Sequence, residues 1–170
     1  MMKYPLITDS HCHLDYPDFE NCLDEVVHRA ADNGVHRILT ICTKLSEISK
    51  IIAIAERFKN VFYAAGTHPL HVATQPMITT SEILAISKHP KFIGIGETGL
   101  DYYYSSDSAT LQKKSLLVHI EAAQATGLPL IVHARAADSD VAEILSAEFE
   151  NAPYSCVMHC FSSGYALAKK

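Results

Sequence analysis

The sequence predicts a parallel α/β fold of the TIM (β/α)8 barrel type, with about six of the eight βα units present in this chain. Three observations predict it. Six short apolar, β-branched runs alternate with longer amphipathic stretches. The runs are apolar on both alternating positions, as strands of a parallel sheet buried on both faces are. Residues of metal-ligand type follow the first, fourth, fifth and sixth runs, at the C-terminal ends of the expected strands. In an open, doubly wound sheet such ends spread out in a row about a switch point, whereas in a barrel they surround one mouth. The first run shares a site with the sixth only if the sheet curls, which favours the barrel.

The elements follow in order. An apolar run from Tyr4 to Ile7, with Leu6-Ile7-Thr8 as the strand, leads into His11-Cys12-His13. Leu23, Val26, Val27, Ala30 and Ala31 recur at helical spacing, and Gly34 stops that helix. Strand two is Arg37–Ile41. Ile48, Ile51, Ile52 and Ala55 mark the second helix, and Val61–Ala65 is strand three. Ile83, Leu84 and Ile86 mark a short helix ended by Pro90, before a strand at Phe92–Ile95. Leu116, Ile120 and Ala123 mark the fourth helix, with Asp107 or Ser108 as N-cap, Gly127 closing it and Pro129 beyond. Pro129–Val132, a helix marked by Val141, Ile144 and Leu145, and a strand at Ser155–Met158 complete the pattern, and the chain ends early in a sixth helix. No Pro/Gly/Ser linker divides it, so residues 1–170 read as a single domain.

With 170 residues, 48% of them hydrophobic, the chain is long enough to bury a sizeable core. A net charge of −5 gives no basic footprint of the kind that binds nucleic acid non-specifically. The first residues are too short an apolar run for a signal peptide, and no window approaches 18 continuous apolar residues, so a soluble, cytoplasmic, monomeric protein without a membrane partner is expected. Five cysteines, an odd number with no Cys-x-x-Cys pair, read as free thiols in a reducing compartment. Strand alternation turns Cys12 and Cys160 away from their neighbouring histidines, as packing residues.

Four segments carry the chemistry: Asp9 to Asp15, Gly94 to Asp101, Val132 to Arg135, and Met158 to Phe161. A His-x-His pair is weak evidence alone, since chance supplies roughly 0.6 of them in such a composition. His133 and His159 taken singly read as core histidines, and Glu97 as a capping carboxylate. The recurrence of His11, His13, Glu97, His133 and His159 at strand ends is what makes them a candidate metal set. Imidazoles and a carboxylate suit zinc, manganese and related divalent ions, and a carboxylate can bridge two of them. Two such ions clamp the attacking and leaving oxygens of an ester or phosphodiester around an activated water.

The segments DSHCHLD, GETGLDYYY, VHARAAD and MHCFSSG resemble the TatD family of metal-dependent deoxyribonucleases, within the amidohydrolase-like TIM barrels. The resemblance implies hydrolysis of DNA phosphodiesters, often from the 3′ end, with two divalent metal ions (Mg, Mn or Zn). It places metal-ligand roles on His11, His13, Glu97, His133 and His159, with Glu97 bridging. Gly66-Thr67-His68-Pro69-Leu70-His71 is similar to the family's Gly-x-His-Pro-His stretch, which gives His68 a phosphate-holding role. Leu70 stands where that stretch has its second histidine, and the role of His71 stays open. Arg135, two residues after His133, is a candidate phosphate contact by charge and spacing. Asp101 has a weaker claim, as an orienter of Glu97 or a water, or simply as a turn residue.

The family's pattern includes a further metal-binding Asp after its eighth strand, and this sequence ends before such a position. The expectations are therefore a fragment, a shortened gene product or part of a longer protein, with two unpaired sheet edges and poor stability in isolation. An amidohydrolase-type deacylase or esterase on the same scaffold, and an inactive metal-binding fragment, are the competing readings. A modified lysine after the fourth strand, common in deacylating relatives, is replaced here by Glu97, which favours the nuclease.

Overall fold

The computed structural model describes residues 6–170, so the part of the predicted first run before Leu6 lies outside the described residues. Six strands form one parallel sheet in sequential order, β1 (Ile7–Cys12), β2 (Val35–Cys42), β3 (Val61–Ala65), β4 (Phe92–Asp101), β5 (Leu130–Arg135) and β6 (Cys156–Met158). Between them run α1 (Leu23–Asp32), α2 (Ile48–Arg57), α3 (Thr80–Ile86), α4 (Ala109–Thr126) and α5 (Asp138–Asn151), with α6 (Tyr165–Lys169) after β6. A doubly wound sheet reverses its strand order, and this one does not. Its ends instead turn toward each other: the rings of His11, in β1, and His159, just past β6, stack with centroids 3.4 Å apart. The sheet is an arc of a TIM barrel.

Apolar alternation divides the core. Residues such as Ile38, Val61, Tyr63, Ile95, Leu130 and Val132 pack outward against the helices in one large cluster. The opposite face buries a small cluster of Ile41, Ala64 and Ile131 inside the arc. His133 shares the inner face with Ile131, two residues before it, so its side chain rises above that apolar floor. No helix among the described residues is long and apolar enough to cross a membrane.

Four strands run past their predicted limits: β2 gains residues at both ends, and the extensions of β1, β4 and β5, the last through His133 to Arg135, carry the site. β1 continues from Thr8 through Asp9, Ser10 and His11 to Cys12, because an edge strand tolerates the polar residues that end an apolar run. β4 continues past Ile95 to Asp101, with its register against β5 shifted between Ile95 and Thr98. Glu97 therefore lies within a strand and not at its end. Gly99 has φ +142°, and a Cβ there would lie 2.0 Å from the His133 carbonyl oxygen, so only glycine lets β4 and β5 pair at this point. Helix limits fall where the spacing places them. Ser108 is the N-cap residue of α4, although its hydroxyl bonds Ser105 and Gln112 and not the helix start. Gly127 caps its other end at φ +71°.

β1 and β6 are the sheet's edges, and they leave Leu6, Ile7 and Val157 about half exposed.

Candidate metal centre

A cavity of about 380 Å³ opens at the C-terminal ends of the strands. His13, His68, Glu97, His133, Arg135 and His159 line it, and His11 lies behind them with its side chain 11% exposed. Residues on or just after β1, β3, β4, β5 and β6 thus meet at one mouth.

Glu97 is its centre. Its Oε2 lies 3.2 Å from His11 Nε2, while its Oε1 lies 3.0 Å from His133 Nδ1 and 3.6 Å from His68 Nε2. Candidate ligand atoms form two groups that share this carboxylate: His11, His13 and Glu97, and His68, Glu97 and His133. Burial acts to raise the Glu97 pKa, but its contacts with His11, His133 and His68 prevail and hold it well below the usual carboxylate range. The carboxylate is charged, buried and edged by imidazoles on both sides.

The outer hydrogen bonds fix which nitrogens are available. His13 Nδ1 lies 3.3 Å from the Ile41 carbonyl, which can only accept, so the proton sits on Nδ1 and the Nε2 lone pair is free. His133 Nε2 donates to Asp101 Oδ2 at 3.0 Å, which leaves Nδ1 facing Glu97. This is the carboxylate–histidine pairing that orients metal ligands and raises their basicity. Burial lowers the His133 pKa, but Glu97 and Asp101 on its two sides outweigh burial and raise it. Asp101 also accepts from the N–H groups of Tyr103 and Tyr104 through Oδ1, so it is the turn residue, and the side chain it orients is His133 and not Glu97 as expected.

His68 is arranged differently. Its Nδ1 accepts the N–H of Leu70 at 3.2 Å, so Nε2 carries the proton that points at Glu97 and His133. It brings a donor to the mouth and not a lone pair, which sets it apart from the ligand histidines around it.

The donor set fits divalent cations. His11 Nε2 is buried without a hydrogen-bond partner, 3.2 Å from Glu97 but not aligned for a bond to it. A buried polar atom left without a partner at a cluster of imidazoles and a carboxylate is what a cation would satisfy.

The residues 8–170 match the profile of the TatD related DNase family. The chain belongs to this family. It is 35% identical to a protein named as an uncharacterized metal-dependent hydrolase, BU355, from Buchnera aphidicola, with 96% of this chain and 65% of that protein aligned. It is 32% identical to the uncharacterized metal-dependent hydrolase TatD of Mycobacterium tuberculosis, over 96% of this chain and 64% of that one. The crystal structure of YjjV, a TatD homologue from Escherichia coli K12, superposes with a TM-score of 0.86 at 27% identity, covering 96% of this chain and 63% of the other. The chain thus spans a little under two thirds of the length of these TatD relatives.

Within this frame the predicted residues divide. His11, His13, Glu97 and His133 come together as the spacing of the motifs suggests. His159 lies on the cavity wall but outside both ligand groups, with its ring flat against His11. Arg135 stands at the rim, its guanidinium 4.5 Å and 4.7 Å from the ring centres of Tyr103 and Tyr104. His71 lines the cavity, and burial followed by repulsion from His68 lowers its pKa. The expectation for Cys160 is corrected. It is exposed and lines the mouth, because its φ of +45° breaks the alternation that would have turned it away. Cys12 packs against the core, with Sγ directed at the Leu39 carbonyl. Tyr16, stacked on His13 at 4.8 Å, and Tyr104 were not anticipated as lining residues. The tyrosine run after Asp101 was the one available signal for the second.

Proposed function

We propose that this chain carries the catalytic centre of a metal-dependent hydrolase that cleaves DNA phosphodiester bonds from a 3′ end, with two divalent cations. The observation that carries the reading is Glu97, one buried carboxylate whose two oxygens face separate histidine groups. His11, His13 and Glu97 would hold one cation, and Glu97 and His133 the other, with His159 beside them. Bound cations supply Lewis acidity and an activated water at neutral pH. The chain's own residues do the rest. Asp101 keeps the His133 ring turned so that Nδ1 faces inward. His68 Nε2–H donates to a non-bridging phosphate oxygen, and Arg135 offers charge and paired donors at the rim.

A phosphodiester suits this mouth better than an amide or a simple ester. Arg135, the donor on His68 and the exposed rings of Tyr103 and Tyr104 together match an anionic group flanked by a flat base. The net charge of −5 does not oppose this, since two divalent cations place +4 where the phosphate sits.

The test is nucleotide release from end-labelled single-stranded DNA with Mg²⁺ or Mn²⁺, with EDTA as control, beside His133→Ala and His68→Ala. Metal-dependent release lost in His133→Ala supports the reading. In His68→Ala the turnover should fall while the affinity for the cation stays. No release above the variant, with turnover of amide or ester substrates in its place, replaces the nuclease by a deacylase on the same scaffold.

A further inference from the structure

Helix α4 carries two polar side chains with no exposed surface, Gln112 and His119. They are seven residues apart, two turns of helix, so they share the face that packs on β4. Neither touches the metal-ligand groups. Both grip backbone at turns that bear site residues.

Gln112 holds Asp101 from both sides. Its amide oxygen accepts the Asp101 N–H at 2.7 Å, and its Nε2 donates to the Asp101 carbonyl at 3.1 Å, as well as to Ser105 and Ser108. His119 does the same for the turn after β3. Its Nδ1 donates to the Ser115 carbonyl at 2.7 Å, so its Nε2 is a bare acceptor and takes the N–H of Thr67 at 3.1 Å. Thr67 is buried, and its N–H without this acceptor would be a buried donor left unpaired.

The neighbours show why this matters. The N–H of Gly66 binds the Cys42 carbonyl, and the N–H of His68 binds that of Thr43, both at 3.1 Å. Three consecutive N–H groups are pinned, the outer two by the end of β2 and the middle one by the His119 imidazole. This turn decides where the His68 ring stands and where its Nε2–H points.

We propose that His119 is a positioning residue of the site, fixing the His68 donor through the Thr67 N–H, and that Gln112 and His119 together make α4 the template that spaces His68 against the Asp101–His133 pair. The catalytic consequence rests on the hydrolase reading above, whereas the positioning itself does not.

The experiment is long-range ¹H–¹⁵N NMR of the histidine rings in the wild-type protein, His119→Leu and His119→Gln, with turnover measured on the same samples. Wild-type His119 should carry its proton on Nδ1, and His68 on Nε2. In His119→Leu the His68 ring should lose its single tautomer while His13 keeps its own, and turnover should fall about tenfold to a hundredfold. His119→Gln, whose amide both donates and accepts, should restore the His68 signals and most of the turnover. A proton on Nε2 of wild-type His119, or a His119→Leu protein with wild-type His68 signals, overturns the proposal. Should His119→Leu fail to fold, the wild-type tautomer and the His119→Gln spectrum decide alone. A wild type without turnover rejects the hydrolase reading, and the ring spectra still test the positioning.

Discussion

Charge and hydrogen bonding at single side chains separate residues that the sequence presents as equals. His13, His68 and His133 are all imidazoles after strands, but the carbonyl of Ile41, the N–H of Leu70 and the carboxylate of Asp101 leave them presenting a bare Nε2, an Nε2–H and Nδ1 respectively. Asp101 is the sharpest case. Asp101→Asn keeps an oxygen for the Tyr103 and Tyr104 N–H groups but removes the charge behind His133. We expect the affinity for Mn²⁺ or Zn²⁺ to fall about 10–100-fold, measured by titration calorimetry, with little change in melting temperature. An unchanged affinity would reduce Asp101 to a turn residue. The candidate ligands themselves were legible because each motif stands out as polar residues after an apolar run. The tautomers were not, because they depend on partners 28 and 32 residues away in other elements, Leu70 excepted.

Among the elements, β4 and α4 contribute most to the site and were the least fully foreseen. The apolar period of β4 stops at Ile95, while the strand itself runs through two glycines to Asp101. Gly99→Ala should place a methyl against the His133 carbonyl at a backbone angle unsuited to side chains. A loss of about 3 kcal/mol or more in denaturant unfolding is expected, together with loss of cation binding. Near-wild-type stability would show that β4 and β5 can part here without cost. In α4, Gln112 and His119 lie on a buried face with Ser115, Leu116, Ile120 and Ala123, and nothing in the helical spacing says that they bond backbone in other units.

His119 also makes the fold acid-sensitive. Burial lowers its pKa from 6.5 to about 4, against a weaker opposing effect of the Ser115 carbonyl. Its neutral form is favoured in the folded state, so the associated stability is complete above the ordinary histidine pKa and is lost as pH falls from about 6.5 toward 4. The loss should reach about 3 kcal/mol, read as a falling unfolding midpoint between these limits. His119→Gln should flatten that part of the profile, and a slope unchanged in the variant would assign it to other groups.

For the whole molecule, the sequence supports the parallel α/β class strongly and the curl indirectly. Alternating runs predict six βα units, and all six form. The barrel arc followed from one functional argument, that residues after β1 and β6 belong to one site, and the stacking of His11 on His159 is the contact in which the ends converge. Side-chain detail at that seam was beyond reach: His159 lies against His11 and outside the ligand groups, and Cys160 turns into the mouth. The turn of Cys160 follows from its positive φ just past a three-residue strand, which no apolar period encodes.

The central claim is a metal centre joined by Glu97, and cation binding tests it most directly. Titration of the metal-free protein with Mn²⁺ or Zn²⁺, beside Glu97→Gln, should give two cations per chain in the wild type and loss of both high-affinity events in the variant. Wild-type binding that survives in Glu97→Gln with the same number and affinity would contradict the account.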